Sequence, residues 1–260
     1  MTTTWRAGDK LPANPLQLLV SGGLWRGAWY LIVYVFATGW LLFSAVFTVV
    51  TTAACFAITL AGIPLLSAAA GVLRGCAAVE RGRLRELFAQ PVRGSWRPVP
   101  PRGLLAQAGA RWKDPATWRA LTYLVALWAP LFALDTAVLT IWLTFLAGVT
   151  IPLWYWAPTQ LSPIGYVHGG AQVHGIAYGY FPHGPYGPGA YGVFVDTLPK
   201  ALLMAAVFAV LFTLSGYLIV ITARAHGRVA RALLRSPADP LAPARDVLTR
   251  PGPLPPLTAP

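Results

Sequence analysis

The sequence predicts an all-α polytopic membrane protein, with four transmembrane helices built as two related hairpins and an irregular outer loop. Three observations carry that expectation: long stretches without charge, a lopsided distribution of Lys and Arg, and an internal repeat. A hydrophobic fraction of 56%, only 11% charged residues and a mean hydropathy of +0.58 lie outside the balance of a soluble domain.

From Gly27 to Leu73 there is no Asp, Glu, Lys or Arg. That run is about twice the ~20 residues of one helical span, so it predicts a hairpin with spans at about 28–50 and 51–73 and a tight turn near Thr51 and Thr52. Gly62-Ile63-Pro64 should kink the second span, because proline removes a backbone donor. Ala120 to Trp156 is uncharged except for Asp135 and is too short for two spans plus a turn. It predicts one span, about 120–147. As a straight helix it would reach ~55 Å against a ~30 Å hydrocarbon core, so it must bend, with Pro130, Gly148 and Pro152 as candidate places. Ala201 to Ala223 supports the last span, about 199–223, capped by Asp196 or Thr197 with Pro199 in its first turn.

The net charge is +12, and its placement matters more than its size. Three cations precede the first span (Arg6, Lys10, Arg26), ten lie between Arg74 and Arg119, six follow Ala223, and none lies in 157–198. Four crossings put every cation-rich segment on one side, as the positive-inside rule requires. The chain then divides into a cytoplasmic N-terminal segment 1–24, a four-span domain 25–235 with a cytoplasmic loop 74–119 and an outer loop 157–198, and a Pro-rich cytoplasmic tail 236–260. This is a multi-pass protein of the cell membrane with both termini cytoplasmic. No cleavable signal peptide is expected, the first span serving as targeting signal. Because these arginines flank spans and form no compact basic domain, nucleic acid is not an expected partner; anionic lipid is. Arg74, Arg81 and Arg85, with Arg224, Arg228, Arg231 and Arg235 recurring at i, i+4, i+7 and i+11, are the candidate contacts to anionic lipid or a partner protein. Cys55 and Cys76 have no expected role beyond packing.

Past Leu73 the second helix should continue to Phe88, with Leu73, Ala77, Leu84 and Phe88 on one face and Glu80 breaking it. Pro91 to Arg102 reads as a linker, and Asp114-Pro115 as a helix start with Asp at the N-cap. Trp25 and Trp29 mark the inner interface and Trp154-Tyr155-Trp156 the outer one.

The halves echo each other. Trp25-Arg26 with Tyr30-Leu31 recurs at the same spacing as Trp118-Arg119 with Tyr123-Leu124, and the exits Arg85-Glu86-Leu87-Phe88 and Arg231-Ala232-Leu233-Leu234 match loosely. Both halves start and end on the same side, which makes this a parallel repeat. Together with Gly62-Ile63-Pro64-Leu65-Leu66, Val79-Glu80-Arg81-Gly82-Arg83-Leu84-Arg85, Asp114-Pro115, Ile151-Pro152-Leu153-Trp154-Tyr155-Trp156 and Val195-Asp196-Thr197-Leu198, these residues give a chain that resembles the sensor-domain family of actinobacterial membrane proteins, often found in front of histidine kinases. The resemblance covers roughly Trp25 to Leu234. It implies a four-span sensory or signal-input module. No kinase domain fits into the tail here, and His226 is read as an ordinary helix residue, so signalling implies a separate histidine kinase, regulator or transporter subunit. A homodimer is also open.

Candidates for ligand or proton sensing are Asp135 and the outer-loop histidines His168, His174 and His183. An ionisable group at the depth of Asp135 is costly and usually faces the bundle interior. No basic residue is expected within the spans to pair with it, leaving protonation, or hydrogen bonding to Thr136, Thr140 or another helix. The histidine spacing matches no compact metal motif, so neither metal nor cofactor is assigned. No catalytic constellation is visible, and the chain is expected not to be an enzyme. The alternative to a sensor is a small transporter or transporter accessory subunit, suggested by the repeat, the interrupted spans and Asp135.

Overall fold

The computed structural model describes residues 14–57, 62–92, 103–157, 174–181 and 189–235, with Pro12, Thr59, Gly94 and Trp96. The Pro-rich tail, His168 and His183 lie outside the described residues. A short helix α1 (Pro15–Val20) precedes α2 (Gly22–Val33), which passes through a π turn at Tyr34–Thr38 into α3 (Gly39–Cys55). Next come α4 (Gly62–Arg83) with a 3-10 turn at Leu84–Glu86, α5 (Leu104–Trp112), and α6 (Pro115–Leu121). A second π turn, Thr122–Ala126, leads into α7 (Trp128–Val149) and α8 (Ile151–Trp154). The strands β1 (Ile176–Tyr180) and β2 (Tyr191–Val195) then pair, and α9 (Leu198–Leu234) ends the described chain.

Four helical stretches are long and apolar enough to cross a bilayer: Gly22–Cys55, Gly62–Glu86, Trp128–Val149 and Leu198–Leu234. The protein is an all-α polytopic membrane fold. Along α9 the side chains of Val207, Val210, Leu214, Leu218 and Ile221 recur every three or four residues and stay exposed, as a lipid-facing stripe does. With 37 residues, α9 is ~55 Å long and extends well beyond a ~30 Å hydrocarbon core.

Three local expectations are corrected and one is extended. The first turn falls at Phe56, after α3 has run to Cys55, and not at Thr51–Thr52, whose hydroxyl oxygens do not interrupt an apolar helix. Gly62-Ile63-Pro64 opens α4 and does not kink it; at a helix start the missing proline N–H has no acceptor to lose. The third crossing is interrupted at Thr150, between the candidates Gly148 and Pro152, where α7 gives way to α8, and also at a π turn, Thr122–Ala126, ahead of all three candidates. Pro130 has no N–H for Ala126, and one turn earlier the ladder slips to i→i−5, Leu127 N–H donating to Thr122 O at 2.9 Å. The outer loop is not wholly irregular: β1 and β2 form an antiparallel hairpin in which Gly179 faces Gly192. Both glycines have φ near +140°, and a Cβ on Gly179 would run into the Tyr191 carbonyl.

The repeat is realised in detail. Ser21 and Asp114 cap α2 and α6, each four residues before Trp25 or Trp118. Trp25 Nε1 donates to Leu19 O and Trp118 Nε1 to Trp112 O, both at 2.8 Å and both six residues back. Each entry helix then runs into a π turn. The preceding short helices pack on the opposite half, α1 against α9, where Leu18 meets Gly216, and α5 against α4, where Trp112 Nε1 donates to Leu66 O.

The main core lies between α2, α4, α6, α7 and α9, with Leu24, Leu31, Leu73, Phe88, Leu139 and Ile219 buried in it. At the end bearing the hairpin a smaller cluster of Ile151, Val195 and Ala201 joins α8, β2 and α9. Close approach depends on small residues: a Cβ on Gly27 would stand 3.3 Å from Ala223 Cβ. Replacing Gly27 by Leu should therefore push α2 off α9 and cost about 1–3 kcal/mol, seen as a lowered melting temperature in detergent. The same change at Gly71, whose Cβ would meet nothing within 4 Å, should leave it unaltered.

Candidate functional site

The face of α4 that Glu80 was expected to break is instead completed by it. Leu73, Ala77, Leu84 and Phe88 are buried, and Glu80 is buried with them at 0% exposure. A carboxylate is tolerated there only if its lone pairs are used. Tyr30 Oη and Tyr123 Oη both donate to its Oε1 at 2.9 Å, and Arg83 Nη1 donates to its Oε2 at 2.5 Å. Arg83, one turn along α4, also donates to Tyr30 O at 2.8 Å and lies over the Tyr30 ring, 4.5 Å from its centroid.

From Tyr123 the network continues to the last span. Tyr123 Oη lies 2.9 Å from His226 Nε2, and His226 Nδ1 lies 2.6 Å from Asp135 Oδ2. The His226 ring is held edge-on to Tyr34 (4.5 Å between centroids) and to Tyr30 (5.3 Å). Asp135 is 0% exposed, and its second oxygen, Oδ1, has no hydrogen-bond partner. So α2 and its π turn supply Tyr30 and Tyr34, α4 supplies Glu80 and Arg83, the third crossing supplies Tyr123 and Asp135, and α9 supplies His226. All four membrane-crossing stretches meet at one buried, hydrogen-bonded site.

This corrects the expectation that Asp135 finds no basic partner. The last span does contain one, because α9 runs past Ala223 as unbroken helix and brings His226 inside the bundle. Glu80, Arg83, Tyr30, Tyr34, Tyr123 and His226 are site residues that residue-by-residue reading missed. Their signal was the repeat: Tyr30 and Tyr123 are matched positions, while Glu80 and His226 each stand five residues before the matched Arg85 and Arg231.

The other candidates that fall among the described residues are not part of this site. His174 is exposed beside the hairpin, and no cluster of potential metal ligands occurs among the described residues. Arg74 lies 3.7 Å from Asp114 and stacks on Trp96, which Arg81 also approaches. Arg231 covers Phe88 at 4.8 Å. Arg85, Arg228 and Arg235 are exposed and Arg224 is half-buried, on the ends of α4 and α9.

Ionisable residues buried where membrane-crossing helices converge mark a candidate functional site. The family model described as "Putative sensor" matches residues 30–234, and the chain belongs to that sensor family. No curated protein and no solved structure matches it.

Removing Glu80 would strand the Arg83 cation among apolar walls. Glu80→Ala should cost about 3–5 kcal/mol, and Tyr30→Phe about 1.5–3 kcal/mol for one hydrogen bond to a charged acceptor. Thermal unfolding of the purified variants in one detergent checks the order.

Proposed function

We propose that this chain is a membrane signal-input module that passes its state to a separate protein on the cytoplasmic side. One observation carries the reading: a single buried network takes a side chain from every span, and two of its elements, α4 and α9, continue as arginine-bearing ends. A rearrangement at Glu80 or His226 therefore changes how those ends are presented. Arg85, Arg224, Arg228, Arg231 and Arg235, with Arg74 and Arg81 behind them, are the surface offered to anionic lipid or to a kinase, regulator or transporter subunit. The hydrogen-bonding groups of the network are turned toward one another and not toward a substrate, which favours relay over catalysis. Orientation follows from the cations, with both termini and 74–119 inside and the hairpin outside.

Transport is the competing reading, favoured by the intramembrane carboxylate Asp135 within a parallel repeat. Solute uptake by proteoliposomes that stops in Asp135→Asn would establish it in place of signalling.

Reporter fusions near Gly94 and Asp239 should read as internal and one near Gly175 as external; any exchange of sides would overturn the orientation. Gentle solubilisation of the tagged chain should co-purify a kinase, regulator or transporter subunit. Charge reversal at the exposed Arg85 and Arg235 should weaken that association at least several-fold while leaving the melting temperature unchanged. Absence of any such partner, with no phenotype on deletion, would overturn the signalling reading.

A further inference from the structure

The hydrogen bonds of the buried network can be counted proton by proton. A tyrosine hydroxyl has a single proton to give. Tyr30 and Tyr123 both spend theirs on Glu80 Oε1, whose other oxygen faces the Arg83 guanidinium. With its proton on Glu80, Tyr123 has none left for His226, and in this arrangement the 2.9 Å contact to Nε2 is an N–H of the imidazole donated to the phenol oxygen. With Nε2 protonated, the 2.6 Å contact between Nδ1 and Asp135 Oδ2 needs one further proton, held by the ring or by the carboxyl. Without it, the Nδ1 lone pair faces the carboxylate directly.

We propose that Asp135 and His226 form a binding site for one shared proton, and that losing this proton weakens the hold of the third span on the fourth at that point. This deepens the signalling reading by naming the stimulus, and it rests on that reading for its biological meaning only. The Tyr123 proton is an internal substitute, but turning it to His226 Nε2 so that Nδ1–H faces Asp135 takes a hydrogen bond away from Glu80 Oε1. The groups facing His226 are Tyr30 and Tyr34 from the first span, Glu80 and Arg83 from the second, and Tyr123 and Asp135 from the third. Arg83 spends its hydrogen bonds on Glu80 and on Tyr30 O, so its charge reaches Asp135 only through space. Asp135 Oδ1 has no partner, so the hold of this carboxyl on α9 runs entirely through the shared proton. Tyr123 bridges Glu80 to His226, and the Arg83 side chain, 12% exposed, lies at the edge of the network. Exchange with water can therefore pass by Glu80 and the Tyr123 hydroxyl without opening the whole bundle.

The sign is definite: the proton-bound pair is bonded and the proton-free pair is repulsive, so rising pH weakens the contact. The test uses the purified full-length chain in lipid nanodiscs with no partner present. The wild type should lose about 3–8 °C of melting temperature as pH is raised through the titration of the pair. Acid–base infrared difference spectra should carry carboxyl and imidazole bands. In Asp135→Asn the amide N–H donates to Nδ1 at any pH, so both the melting step and the bands should vanish while the fold is kept. Tyr34→Phe, which keeps the ring against His226, should retain both. A wild-type profile without a step and without bands, or a step that persists in Asp135→Asn, overturns the proposal. If Asp135→Asn fails to fold, the wild-type spectra decide alone. A titration on the isolated chain with no partner ever captured would defeat only the signalling reading, whereas a captured partner with no titration would defeat only the proton.

Discussion

The Glu80 carboxylate is the constraint around which the rest of the bundle is arranged. A buried carboxylate without partners would be too costly to keep, and one paired with only Arg83 would still leave lone pairs empty. Two tyrosine hydroxyls fill them. For both to reach one oxygen at 2.9 Å, the first and third crossings must bring Tyr30 and Tyr123 to the same depth beside α4. That requirement sets the convergence of the entry helices and leaves little freedom in the placement of α9.

The two π turns and the small residues are what make such convergence compatible with helical backbone. Each entry helix changes register at a π turn that contains its tyrosine or begins four residues beyond it, Thr122–Ala126 for Tyr123 and Tyr34–Thr38 for Tyr30. At Gly39 the Tyr34 carbonyl lies where a Cβ would otherwise be, 2.6 Å away. The Trp25 and Trp118 bonds to carbonyls six residues back fasten the start of each entry helix to the short helix before it. Between the third and fourth spans, apolar packing is joined by the polar contact of Asp135 with His226.

The halves share a plan but not a chemistry. At matched positions one half carries Glu80 and the other His226, and at matched tyrosines one hydroxyl serves Glu80 alone while the other touches both. One side of the site is thus a permanent charge pair and the other a titratable one. A symmetric pair of glutamates would repel, and a symmetric pair of histidines would leave Arg83 unneutralised. The asymmetry gives the bundle a fixed anchor beside a movable joint, which is what a module with two states needs.

Much of the fold was legible in the linear chain. Uncharged runs must leave water, and lysines and arginines mark the helix ends, so four crossings and the parallel repeat follow from composition and spacing alone. The Asp114 cap and the long final helix are local consequences of residue type as well. What tertiary structure decided was where polarity could be buried. Residue by residue, Glu80 looked like an interruption, His226 like a surface residue of a basic stripe, and Asp135 like an unpaired charge. Their partners lie on other helices, 43 to 103 residues away in sequence, and helical periodicity carries no information about which faces will meet. Sequence thus determined that this chain crosses the membrane and how often. Only the packing of four helices against one another determined that its costliest residues satisfy each other, because a hydrogen bond is fixed by distance in space and not by separation along the chain.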